Sequence, residues 1–247
     1  MRKVCWADAY VCSDFEGSET KMSHALKLFV ENQEDIEQLW VIHEDYAGEG
    51  RGRKHGVEVL NRSVIVFVTA IWESFIEDLA QEAFDYLITH ASDSSHIPQK
   101  IKNHIAAAVL NQKDPDRVWE VADLGWKQVL ASHKSAVLEK WVGNFNTPKT
   151  EPVNKLFDQL LGIPALSNNW HWKGVSPKKA AEKLDKFITM RGDIAHRLRH
   201  GKPVGKGDGF NYLMHVISIA FHTEFAVGDH LARVTGTYPW SPIHHSD

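Results

Sequence analysis

Cysteine is nearly absent from this chain: Cys5 and Cys12 are the only two in 247 residues, and they lack both C-x-x-C spacing and the paired histidines of a zinc site. A disulfide scaffold is thereby excluded, and the pair reads as free thiols of a reducing compartment. Long apolar runs are also missing. The longest, Val64 to Trp72, covers about half of the ~20 residues that a bilayer span requires. The first residues, MRKVCWADAYVCSDFEG, lack the continuous apolar segment of a signal peptide, so no membrane association and a cytoplasmic location are expected. Alternating apolar and polar runs bounded by hairpin turns do not occur, nor do internal repeats or low-complexity blocks. Glu-x-x-His occurs nowhere, which excludes the ligand pattern of a ferritin-like di-iron bundle. Charge of one sign is lacking overall: a net charge of −4, with 43% hydrophobic and 24% charged residues, is ordinary for a globular chain. Collagen and outright disorder are ruled out.

What the total conceals is an uneven distribution. Residues 1–50 hold four basic and eleven acidic side chains, whereas residues 173–206 hold ten basic and three acidic ones. The second region suits an anionic ligand; the plain alternative is a solvated charged face. Apolar spacing of three and four recurs in long segments, which predicts an all-α chain. The spacing predicts a first helix over about 20–46 and a long, central, buried one over about 57–90, whose middle is apolar all round. Shorter helices follow at about 99–111, 116–135, 135–143 and 152–162, punctuated by Asp114-Pro115-Asp116 and Thr147-Pro148. After a tryptophan-rich loop, Ser176 as N-cap and Pro177 at the first helical position start a helix running to about Arg199. Gly201, Gly205, Gly207 and Gly209 read as a flexible basic turn before a last helix at about 209–234. One helical domain over 1–247 is the simplest organisation. Its core lies at about 20–90 and 176–235, and the short helices of about 99–162 are inserted between them.

The helix from Pro177 carries the chemistry. Its apolar stripe runs Ala180, Leu184, Phe187, Arg191, Ile194, Leu198, so an arginine stands where the period asks for a hydrophobe. Desolvating a guanidinium is costly unless it is paired or faces a ligand. Five residues on, about 7.5 Å along the axis and ~140° around it, lies His196, of the residue type most used for acid–base work near neutral pH. Both can flank one cleft without touching. Gly192, between them, costs roughly 1 kcal/mol of helix propensity and leaves room for a backbone or phosphate to approach.

Arg191-Gly192-Asp193-Ile194-Ala195-His196 resembles the R-x4-H motif of HEPN domains, helical ribonucleases common in prokaryotic toxins and phage-defence systems. Nine arginines and 15 histidines in this length give about half a match by chance, and one occurs, mid-stripe in the most basic stretch. Residues 62–84, RSVIVFVTAIWESFIEDLAQEAF, and 152–163, PVNKLFDQLLGI, are similar to the RiboL-PSP-HEPN branch, so the resemblance covers about 57–235. It implies a HEPN-like helical bundle and a homodimer with both motifs facing one cleft. It also implies an endoribonuclease needing neither metal nor other cofactor, with His196 as general base or acid and Arg191 stabilising the phosphate. The products would be a 2′,3′-cyclic phosphate and a 5′-hydroxyl. The family usually has Asn, Asp or His directly after the arginine; here Gly192 stands there and Asp193 comes one place, ~100° of helix, later.

Supporting residues follow. Glu73, on the central helix, would functionally pair with Arg191 or orient His196; its plain reading, a structural ion pair or a partly exposed carboxylate, is the expected one, with structural pairing preferred. Arg62 is a candidate phosphate contact, its plain reading a solvated side chain in the helix's first turns. Arg197, Arg199, His200, Lys202 and Lys206 can track an RNA backbone or form a plain surface turn. Trp170 and Trp172, flanking His171, are candidates to stack on unpaired bases; their alternative is to pack over the bundle end. His196 and His200 at i and i+4 would need a third ligand beyond Asp193 to hold a metal, and no metal site is expected. Two other classes compete with the nuclease. One is a non-catalytic module binding RNA or protein through the basic helix. The other is one half of a toxin–antitoxin pair whose acidic N-terminal region covers that helix.

Overall fold

The computed structural model describes residues 22–48, 56–110, 125–197 and 203–240. Eight helices occur among them: α1 (His24–Glu31), α2 (Gln33–Ala47), α3 (Glu58–His90), α4 (Gln99–Leu110), α5 (Gly125–Trp141), α6 (Thr150–Leu161), α7 (Pro177–Arg197) and α8 (Lys206–Thr235). No strand forms among the described residues; a single bridge joins Trp172 and Val175. The all-α expectation holds.

The spine is α3. Val64, Ile65, Val68, Trp72, Phe75, Ile76, Leu79, Ala83, Phe84 and Leu87 are buried along its 33 residues, and α8, α1, α2, α7, α6 and α5 pack around it. It is not buried all round as the sequence suggests: Val59 and Phe67 stand 61% and 41% exposed on an outward strip with Ala70 and Ser74. A longer window of α3 than the Val64–Trp72 run is apolar enough to cross a membrane by composition, but half of that window is occupied by these neighbours. Gly209 of α8 allows the closest approach, since an added Cβ there would lie 2.7 Å from a Val64 methyl.

Several boundaries differ from those the pattern predicts. The first helix is two, divided at Asn32, although Leu26, Phe29, Ile36 and Trp40 still share the buried stripe. α5 runs unbroken through residue 135, because no glycine or proline interrupts 126–142. The predicted helical segment at 116–124 lies outside the described residues. α6 begins at Thr150, with Pro152 in the first turn, where a missing N–H costs nothing. α8 begins at Lys206 rather than 209, because the Asp208 carboxylate accepts the Gly205 N–H at 2.9 Å and caps the helix. Gly207 and Gly209 are therefore helical, not part of a turn. At α7 the expected start holds: the Ser176 hydroxyl accepts the Lys179 N–H at 3.4 Å, and Pro177 is the first helical residue.

The docking of α1 shows how side chains complete a helix end. Its N-terminal N–H groups cannot be satisfied within the helix. Glu224 of α8 accepts the Ser23 N–H at 2.6 Å, Glu82 of α3 accepts those of His24 and Ala25 at 3.1 Å each, and the Ser23 hydroxyl accepts that of Leu26 at 3.0 Å. Burial pushes the Glu224 carboxyl up to about 7, opposed by its bonds to Ser23 and assisted by the nearby Glu82 charge. Between its ordinary range and about 7 the folded chain therefore keeps a proton that the unfolded chain has lost. Stability contributed by protonated Glu224 is full below pH 4.5, falls as pH rises, and is gone above about 7. Denaturant titrations from pH 4.5 to 8 should show that fall in the wild type and a flatter profile in Glu224→Gln; parallel profiles contradict the assignment.

Candidate functional site

The stripe of α7 that faces the core is built as the period demands. Ala180, Leu184, Phe187, Ile188 and Ile194 are buried, and Arg191 sits among them half-buried. Phe187 stacks on Tyr212 of α8, ring centroids 4.3 Å apart at 15°. The Tyr212 hydroxyl lies 3.0 Å from the Thr69 Oγ1 of α3. Because Thr69 donates its own proton to the Ile65 carbonyl at 2.9 Å, the phenol is the donor of that pair.

Electrostatics place Glu73, Arg191 and Tyr212 in one neighbourhood. Burial raises the Glu73 carboxyl above its ordinary value, and the Arg191 charge opposes that rise. Burial likewise raises the Tyr212 phenol, opposed by the Thr69 bond and by Arg191, and assisted by the Glu73 charge. Glu77, one turn on, is raised by burial and by the charges of Glu73 and Asp78. The Arg191 charge thus acts on a half-buried carboxylate of α3 and a buried phenol of α8, with no ion pair between Glu73 and Arg191 among the salt bridges of the described residues. Tyr212 and Thr69 were not singled out from the sequence as site residues. Their signal was available: a tyrosine and a threonine on buried stripes each require a hydrogen-bond partner.

Around this turn the other candidates fall differently. His196 is exposed, one and a half turns beyond Arg191 and on another flank of α7. Gly192 faces open space, with nothing within 4 Å of an added Cβ, so packing does not demand a glycine there. Asp193 is half-buried and lines a shallow groove of about 350 Å³ with Glu182, Asp185, Lys186, Thr189 and Met190. Arg62 is half-buried in the first turns of α3, eleven residues and about 16 Å of helix before Glu73. Arg197 is the last residue of α7; Arg199, His200 and Lys202 lie outside the described residues. Lys206 pairs with Glu44 of α2, so it is spent on holding α8 to the acidic helix.

Trp170 does not serve as a stacking surface. It is fully buried, its indole N–H donates to Thr223 Oγ1 at 2.8 Å, and its ring stands edge-on to Trp72 at 6.1 Å. Packing over the bundle end, its plainer alternative, is what it does. Trp172 is half-buried beside His215 and His222, away from Arg191. Among the described residues no three histidine, cysteine or acidic side chains converge as a metal site would require.

Comparison with known proteins adds one finding. The family model for RiboL-PSP-HEPN matches residues 30–221, from within α1 to within α8. No curated protein and no solved structure matches.

The coupling of Glu73 to Arg191 is measurable without any ligand. Removing the cation in Arg191→Ala should move the Glu73 carboxyl further above its ordinary value, as read by carbon-detected NMR titration. An unchanged midpoint contradicts the coupling.

Proposed function

The chain belongs to the RiboL-PSP-HEPN family, and from that premise we propose that it is an endoribonuclease that works without a metal ion, with Arg191 and His196 as its reactive pair. The observation that carries the reading is a half-buried Arg191 whose charge acts on Glu73 and Tyr212, with an exposed His196 one and a half turns away on the same helix. A cation partly withdrawn from solvent and an imidazole open to it are what phosphate cleavage asks of such a pair.

The chemistry needs little else. His196 takes the proton from a ribose 2′-hydroxyl, and the freed oxygen attacks the adjacent phosphorus. Negative charge gathers on the phosphoryl oxygens, where the Arg191 guanidinium stabilises it. The bond from phosphorus to the 5′-oxygen breaks, and that oxygen takes a proton, leaving a 2′,3′-cyclic phosphate and a 5′-hydroxyl. The same pair from a second protomer would complete the cleft, so the active species is a homodimer. Glu73 is a positioning residue: it limits the directions in which the guanidinium can point. Asp193 and Gly192 shape the approach to the phosphate. Arg62, Arg197, Arg199, His200 and Lys202 supply backbone contacts for RNA, each adding salt dependence. Its proposed setting is that of a toxin or defence effector with an antitoxin or other protein partner, which the family resemblance supports, and its proposed location is the cytoplasm.

Gly192 favours a second reading, a module that binds RNA or protein and does not cut. The two separate in one experiment: wild-type and His196→Ala protein incubated with total RNA in excess EDTA, with end-group analysis of the products. The nuclease reading expects cyclic-phosphate ends from wild type and a loss of about 10²-fold or more in the variant. His196 is exposed, so its replacement should leave the fold intact. Equal cleavage by both proteins sinks the mechanism; RNA binding without any product assigns the chain to the module.

A further inference from the structure

The loop before α7 holds a second constellation, at the far end of the helix from Arg191. Trp172 and Val175 exchange backbone hydrogen bonds of 3.2 and 2.8 Å, and Gly174, at φ 81°, closes the four-residue reversal between them. That bridge fixes Trp172 on the surface of α8. Its ring centroid is 5.5 Å from His215 and 5.5 Å from His222, and His171 lies 6.1 Å from His222. His215 anchors the group by donating its Nε2 proton to the Ala180 carbonyl at 2.9 Å. Burial pushes that imidazole down to about 4, so it adds an aromatic wall and no charge.

Charge comes from elsewhere. Lys179, Lys183 and Lys186, at i, i+4 and i+7, share one exposed strip of α7, and the Lys183 charge reaches His215. The strip starts near the Trp172 cluster, and a strand following it must also pass ~140° around α7 from Lys186 to reach Arg191. Acids border it: Asp185 accepts from the Thr150 N–H and hydroxyl at 2.8 and 2.9 Å, Glu182 faces Lys178 at 4.0 Å, and both line one groove with Lys186 and Asp193, so Lys179 and Lys183 carry most of the strip's uncompensated charge. Ala180, where the cluster is anchored, is eleven residues from Arg191, about 16 Å along the helix. That is about five nucleotides at the stacked rise of ~3.4 Å, and fewer when the strand is stretched.

We propose that Trp172, with His171 and His222 beside it, is a stacking platform for an unpaired base of the same RNA strand whose phosphate lies at Arg191, the intervening phosphates being neutralised by Lys179, Lys183 and Lys186. Every base has a stackable face, so the platform selects unpaired RNA over duplex rather than one sequence over another. It rests on the RNA reading of the Arg191 site and deepens it by naming single-stranded RNA several nucleotides long as the substrate class.

The test is fluorescence anisotropy with end-labelled oligouridylates of two and ten nucleotides, on the full chain carrying His196→Ala so that nothing is cut. The parent should bind the decamer more tightly than the dinucleotide, which is too short to reach both places. Adding Trp172→Ala should weaken decamer binding by roughly 5- to 100-fold and leave the dinucleotide unchanged, while Trp172→Phe keeps most of the affinity. His171→Ala, at an exposed position, should weaken the decamer about 3-fold or more without touching the packing. Equal decamer affinity in the parent and both alanine variants overturns the platform and leaves the RNA reading standing. No binding of either oligonucleotide by the parent overturns both.

Discussion

The desolvation of one guanidinium governs the functional end of this molecule. Arg191 occupies a core position of α7 between buried Phe187 and buried Ile194 and is itself half-buried, so its charge is partly withdrawn from bulk water. That charge acts on Glu73 of α3 and on Tyr212 of α8, whose own proton is committed to Thr69. In the proposed reaction the guanidinium would stabilise charge that develops on the substrate, a task favoured by a group already placed before the reaction begins. His196 faces solvent, as the proposed proton exchange would need.

The helices around Arg191 fix each other. Val64 of α3 meets α8 where Gly209 has no side chain, and one turn or so along both helices the Thr69–Tyr212 bond follows. At the other end, Glu82 of α3 and Glu224 of α8 together complete the start of α1, joining it to both helices. The buried tryptophans play a comparable part. Trp72 donates its indole N–H to the Pro148 carbonyl at 2.8 Å and Trp170 to Thr223, tying the connection before α6 to α3 and the one before α7 to α8. α7 is therefore braced along its length, with the Trp172 cluster and the Lys179–Lys186 strip at one end and the Arg191 turn at the other.

Much of this was legible in the sequence where local rules act alone. The long apolar helix ending at His90, the Ser176-Pro177 start of α7, and the conspicuous arginine on its stripe all follow from periodicity and capping chemistry. The misses share a cause: the deciding interaction was between side chains distant in sequence, or was a cap hidden among glycines. Asp208 extends α8 back across residues that read as a flexible turn. Trp170 and Trp172 look equivalent two residues apart, yet the loop turns one into the core and the other onto the surface. Tyr212 reads as a core residue and is one; that its hydroxyl is held by Thr69 across 143 positions is a tertiary fact. Glu73 was legible as an acid inside an apolar helix; burial raises its carboxyl, and the Arg191 charge works against that rise.

The central claim is that Arg191 and His196 receive one RNA phosphate. The most direct measurement is an NMR titration with a 2′-deoxy decanucleotide, which lacks the attacking hydroxyl, following the Arg191 side-chain and His196 ring resonances. Saturable shifts of both at one common affinity are the predicted result. Saturable binding elsewhere on the chain, with these two resonances unmoved, contradicts it.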